Sequence, residues 1–150
     1  MIIAFLIWHI VIMLVLYIIL NKKKSLFDDR FANTVAIVAS FTFSFQLTLL
    51  LVLLYSRPFV VVLMGSWLVA TIVAYGFGSF VRSDHIIHSQ FLTLQGVISG
   101  AMLGAVLKNP ALCQLPLSSN TWFISIDGLA GFMALTVTLF YLLLLYAFSV

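Results

Sequence analysis

Few residues in this chain have side chains able to do chemistry, and most of them stand in apolar surroundings. His85 and His88 are separated by three positions, with Asp84 beside them, in the segment S-D-H-I-I-H-S-Q. On a helix that spacing turns both imidazoles to one side, close enough to share a metal ion or to relay a proton. A metal centre needs a third ligand, and Cys113, Met102 or His9 would have to supply it. The topology set out below puts His9 and Cys113 toward the other side of the membrane. A solvated pair of histidines at a helix start therefore stands beside the metal reading of His85 and His88. His9 is a separate case because it lies inside the first apolar run. An imidazole at that depth requires a polar partner or a water-filled cavity. Gln46 or Ser44 can serve as that partner, which makes His9 structural; a cavity makes it part of a pore or relay. Gln46 and Gln95 divide in the same way. They are bonds between helices, each contributing on the order of 1 kcal/mol, or they belong to a polar path with Ser99.

Most of these groups are carried by one stretch, Ser83 to Pro110, which also holds Gly96, Gly100 and Gly104 at a spacing of four. At about 100° per residue, His85, His88, Leu92, Gln95, Ser99 and Met102 share one sector of the helical wheel. The three glycines occupy the sector beside it, and Ile87, Phe91, Leu94, Ile98 and Ala105 lie opposite. The expectation is a greasy face for lipid and a polar-and-small face for protein. Small residues at intervals of four let membrane helices approach closely. The glycines therefore predict either contact with a neighbouring helix or self-association around an axis lined by the polar stripe. Ser66, Ala70, Ala74 and Gly78 form a second small-residue stripe, which can serve as the internal partner of the glycines.

Other chemistries lack their residues. There is no Ser-His-Asp order, HExxH, phosphate loop or paired intramembrane carboxylate, so the chain is expected not to be an enzyme and to need no cofactor. The single cysteine excludes an internal disulfide and a CxxC motif. The five methionines are scattered rather than spaced for a copper path. Asp127, at the start of the last apolar run, suits a helix N-terminus better than a proton carrier. Basic residues are not interleaved with aromatics on a polar face, so nucleic acid is not an expected partner.

The elements that must position these residues follow from composition. Of 150 residues, 64% are hydrophobic and 7% charged, with a mean hydropathy of +1.25. Soluble domains carry about 25% charged residues; this chain cannot cover itself with polar groups, and its solvent is the lipid bilayer. The predicted architecture is all-α, a single integral membrane domain over 1–150 with spans at about 2–20, 34–55, 59–78, 85–107 and 127–148. Residues 40–48 alternate polar and apolar like a strand, but the length of the run argues for a helix. Asn21–Asn33 reads as a polar connection and Ser56-Arg57-Pro58 as a tight turn, with Pro58 opening the next helix. Gly76-Phe77-Gly78-Ser79 is expected to fray, and Asn109-Pro110 to stop the fourth span. Lys22, Lys23, Lys24, Arg30 and Arg82 fall on one side of this topology, Arg57 and Lys108 on the other. By the positive-inside rule the N-terminus is outside and the C-terminus cytoplasmic, in a multi-pass protein expected in the plasma membrane. Tyr141 and Tyr146 are expected near the inner end of the last span.

Two functions fit this reading. A channel or transporter, or a subunit of one, would pass an ion, metal or small solute along the polar face of the fourth span and His9. An accessory or assembly subunit would use the same polar groups only to contact other membrane proteins. A homo-oligomer or other membrane protein subunits are the expected partners.

Overall fold

With no water in the hydrocarbon to satisfy backbone N–H and C=O groups, an apolar chain crossing it closes its hydrogen bonds within helices. Among the described residues five helices form: α1 (Ile2–Lys23), α2 (Asp29–Leu54), α3 (Phe59–Gly78), α4 (Ser83–Lys108) and α5 (Ile126–Ser149). This computed structural model describes residues 1–23, 29–55, 58–79, 83–109 and 126–149. Lys24, Asp28, Ser56, Arg57, Arg82, Pro110, the 111–121 connection with Cys113 and Pro116, and Trp122 lie outside the described residues. The helices contain 20 to 26 residues, about 30 Å or more at a rise of ~1.5 Å per residue. All five are long and apolar enough to cross a bilayer. The chain is a multi-pass helical membrane bundle.

The helix ends differ in detail from the sequence expectation. α1 runs on to Lys23 and α2 starts at Asp29, so both helices extend into the polar stretch between their apolar runs. Pro58 is the residue before α3 rather than its first member, with φ −49° and ψ 128°. Gly76 and Gly78 do not fray the helix. α3 stays helical through Gly78, and Ser79 closes it by donating its N–H to Tyr75 O and its hydroxyl to Gly76 O, each at 3.0 Å. The alternating segment 40–48 lies in the middle of α2 and is helical.

α2 is the axis of the bundle and by far its most buried helix. α4 packs along one side of it, and their contacts rise together in number: Gly96 meets Phe41 and Ser44, Gly100 meets Phe45, and Gly104 meets Leu49 and Val52. The two helices therefore run parallel. α3 runs antiparallel to α4, with Gly78 against Ile86, Ser89 Oγ donating to Ala74 O (3.1 Å) and Gln90 Nε2 donating to Thr71 O (3.0 Å). α1 and α5 form a parallel pair through Phe5 on Gly131 and Trp8 Nε1 donating to Thr138 Oγ1 at 3.2 Å. That pair covers another side of α2.

The glycine spacing thus finds its partner on α2. The C-terminal half of the Ser66–Ala70–Ala74–Gly78 stripe, which could have received it, meets a different part of α4, with Gly78 against Ile86 and Ser89 and Ala74 O accepting from Ser89. The reason is steric. The α2–α4 crossing brings backbone to backbone: a Cβ on Gly96 would run into Ser44 Oγ and Phe41 O, and one on Gly100 into Phe45 O. Gly65 on α3, by contrast, has nothing among the described residues within 4 Å of a Cβ. Gly100→Ala is expected to destabilise the bundle by about 1–3 kcal/mol, the usual cost of overpacking. Gly65→Ala should be neutral or stabilise it by up to about 1 kcal/mol through helix propensity. Thermal unfolding in detergent, followed by size-exclusion profile, measures both; equal midpoints for the two variants would remove the close-approach argument.

Candidate functional site

The polar residues singled out in the sequence divide into an interior group around α2 and an exterior group on α4. His9 belongs to the first. It is 4% exposed, and its ring lies nearly parallel to those of Phe43 (centroids 5.2 Å apart, 16°) and Tyr141 (5.9 Å, 21°). Its Nε2–H donates to Phe43 O at 3.4 Å, which requires the Nε2-protonated tautomer. Neither Gln46 nor Ser44 is its partner. Ser44 Oγ donates to Phe41 O within its own helix (3.0 Å) and lies on the α4 side, while Phe43 turns to α1. Tyr141, expected near the inner end of α5, is buried against His9 instead. One aromatic stack thus ties α1, α2 and α5 together, and pairs of this kind contribute roughly 0.5–1.5 kcal/mol beyond area burial.

Among the described residues, several polar atoms of α2 and α5 are sealed without partners. Both ends of the Gln46 amide, Ser40 Oγ, Thr48 Oγ1 and Tyr141 OH are buried and make no hydrogen bond. Gln46 is fully buried. Tyr141 OH lies beside Thr42, whose hydroxyl is engaged with Val38 O (2.7 Å) and Ala39 O (3.3 Å), and closes no bond to it. Serine and threonine can return their protons to the carbonyl three or four residues back, as Thr42, Ser44, Thr93 and Ser66 do. A glutamine amide has two donors and an acceptor and has no such option in a packed interior. A cavity of about 490 Å³ opens between α1, α2 and α3, but Met13, Leu14, Phe43, Leu47, Ile72 and Val73 are among its lining residues. It offers a polar solute almost nothing to bond.

The exterior group lies on α4, and here the expected polar-and-small face splits. Its glycine half is covered by α2. Its polar half is not: His88, Gln95 and Met102 are exposed and Ser99 half-exposed, next to exposed Phe91, Leu94 and Ile98. The lipid-facing sector of α4 is therefore rotated from the one read off the wheel and includes the amide in mid-span. Gln95, Ser99 and His88 make no hydrogen bond among the described residues. Three threonines toward the surface of the spans are self-satisfied: Thr34 donates to Arg30 O, Thr71 to Leu68 O and Thr136 to Phe132 O. His85 is buried and His88 exposed. Asp84 is exposed in the first turn of α4, and Asp127 in that of α5. Among the described residues no three of His, Cys, Asp or Glu come together as metal ligands.

His9 and the α4 stripe do not meet. α2 stands between them, Phe43 facing His9 while Phe41 and Phe45 flank the glycine contact. The wheel missed one pattern that the exposures bring out: His88, Phe91, Gln95, Ile98 and Met102, all exposed, follow one another at steps of three, four, three and four. The chain matches no known protein family, no curated protein and no solved structure.

The sealed amide makes a stability prediction. Replacing a buried, unbonded polar group by an apolar one of similar size removes its desolvation cost, so Gln46→Leu should stabilise the bundle by about 1–3 kcal/mol. His9→Ala should destabilise it by roughly 2–5 kcal/mol, as deletion of a large buried side chain does. Thermal midpoints in one detergent check both. A Gln46→Leu variant less stable than the wild type would mean that the amide is bonded in the folded protein.

Proposed function

We propose that this chain is a non-catalytic subunit of a membrane assembly and joins its partner through the outer face of α4. The observation that carries the reading is Gln95, an exposed amide in the middle of a spanning helix with no hydrogen bond among the described residues. An amide left unpaired in hydrocarbon costs on the order of several kcal/mol. A facing helix that brings a hydrogen-bonding group removes most of that cost, and Ser99 one turn on and His88 two turns back extend the contact. The surfaces of α1 and α3 support the same choice by contrast, since Ile3, Ile7, Leu14, Val61, Leu68 and Ile72 present only hydrocarbon. The basic residues of the sequence favour an orientation with Lys22 on the cytoplasmic side.

Extraction from native membranes in a mild detergent tests the proposal. The wild type should migrate in a species larger than one chain, and Gln95→Leu should shift it to smaller size while its helical content and thermal transition persist. Wild type and variant both running as single chains would count decisively against assembly through α4.

A second reading, transport by the bundle itself, is favoured by a different observation: the unpartnered Gln46, Ser40 and Thr48 on the central helix. In a conformation with α1 and α5 drawn aside, Gln46 would meet water. Proton and monovalent-cation flux into reconstituted vesicles distinguishes the readings. Transport requires flux that Gln46→Leu abolishes and Gln95→Leu leaves; absence of flux in the wild type removes it.

A further inference from the structure

The outer face of α4 has the spacing of a helix-pairing seam. His88, Phe91, Gln95, Ile98 and Met102 are all exposed and recur at alternating intervals of three and four, the 3.5-residue repeat by which two helices stay in contact along their length. Leu94 and Ile87 flank the seam on one side, Leu92 and Ser99 on the other. A shallow recess of about 210 Å³ lies within it, lined by Phe91, Leu94, Gln95, Ile98 and Ser99. Beside that recess Phe91 and Met102 stand proud, 70% and 65% exposed. We propose that this seam binds a second copy of the chain, α4 against α4 in parallel, with the two Gln95 amides hydrogen-bonded to each other across a two-fold axis.

This rests on the assembly reading above and names its partner. Copies inserted with the same topology are related by an axis normal to the membrane, so identical residues meet at identical depth and the patch must complement itself. The seam does so. A glutamine amide is both donor and acceptor, and so are a serine hydroxyl and a neutral imidazole. Between Ile87 and Met102 no Asp, Glu, Lys or Arg occurs, so the pairing brings no like charges together. A polar residue at one inner position of such a seam specifies parallel register. In lipid, where apolar surfaces gain nothing from leaving water, it also supplies part of the attraction. The glycines are not available for this role, because α2 already fills them.

The test is disulfide cross-linking of the full chain in native membranes. Single cysteines are placed at Phe91, Ile98 or Met102 in a Cys113→Ser background that retains Gln95, with Ile72→Cys on α3 as the off-seam control. Mild oxidation should give a homodimer at twice the chain mass for the three seam positions and not for Ile72→Cys. Adding Gln95→Leu to the Ile98→Cys chain should weaken association roughly three- to twentyfold, the span measured for hydrogen bonds between membrane helices. Seam cysteines that cross-link only to a different protein would overturn the second copy and leave the assembly reading standing. Seam cysteines that form no cross-link to any protein would overturn both. A homodimer equally strong at Ile72→Cys, or one unaffected by Gln95→Leu, would overturn the α4 pairing.

Discussion

Backbone contact between α2 and α4 is the constraint on which the other arrangements depend. Inside a bilayer, two apolar helices gain nothing from hiding their side chains from water. They hold together where their surfaces interlock closely enough for dispersion and weak Cα–H···O contacts to accumulate. Gly96, Gly100 and Gly104 permit that approach by presenting no Cβ to Phe41 O, Phe45 O and Leu49 O. The contact also fixes the rotation of α4 about its own axis. Positions 96, 100 and 104 lie almost opposite 91, 95, 98 and 102 on the helix, so turning the glycines onto α2 turns Gln95 outward. The exposed amide follows from the internal packing.

Around this pair the remaining helices add hydrogen bonds and ring contacts. α3 returns against α4 with Ser89 and Gln90 bonded to carbonyls of α3. α1 and α5 join α2 through rings, His9 lying between Phe43 and Tyr141, and through Trp8 on Thr138. Rings offer large flat surfaces at small cost in rotamer freedom, which suits a junction of three helices with bulky side chains. The same junction leaves Gln46 and Tyr141 OH without partners. Polarity enclosed without bonds costs the interior stability.

Polar groups in the spans thus meet three fates. Most hydroxyls bond within their own helix and contribute little to association. Gln46, Ser40 and Thr48 are enclosed and unbonded. Gln95, with Ser99 and His88 near it, is presented outward. Only the last arrangement can be completed by another molecule while the bundle keeps its packing, which is why assembly outranks a path through a single chain.

The five spans were legible in the sequence because hydropathy and length act additively along the chain and a bilayer imposes one length scale on every helix. The helical state of 40–48, the stop after Lys108 and the closeness forced by the glycine spacing follow from equally local reasons. What faces what did not. The sequence allowed the glycines to meet the Ser66–Gly78 stripe, His9 to bond Gln46 or Ser44, and the polar half of α4 to turn inward with the small half. Each of these depends on how a helix is rotated about its axis, and that rotation is decided jointly by every neighbour it touches. Residue types therefore established that α4 carries both a packing ridge and a polar stripe. Tertiary structure alone decided that α2 takes the ridge, with Gly96, Gly100 and Gly104 against the backbone of Phe41, Phe45 and Leu49, and that the stripe is left on the outside.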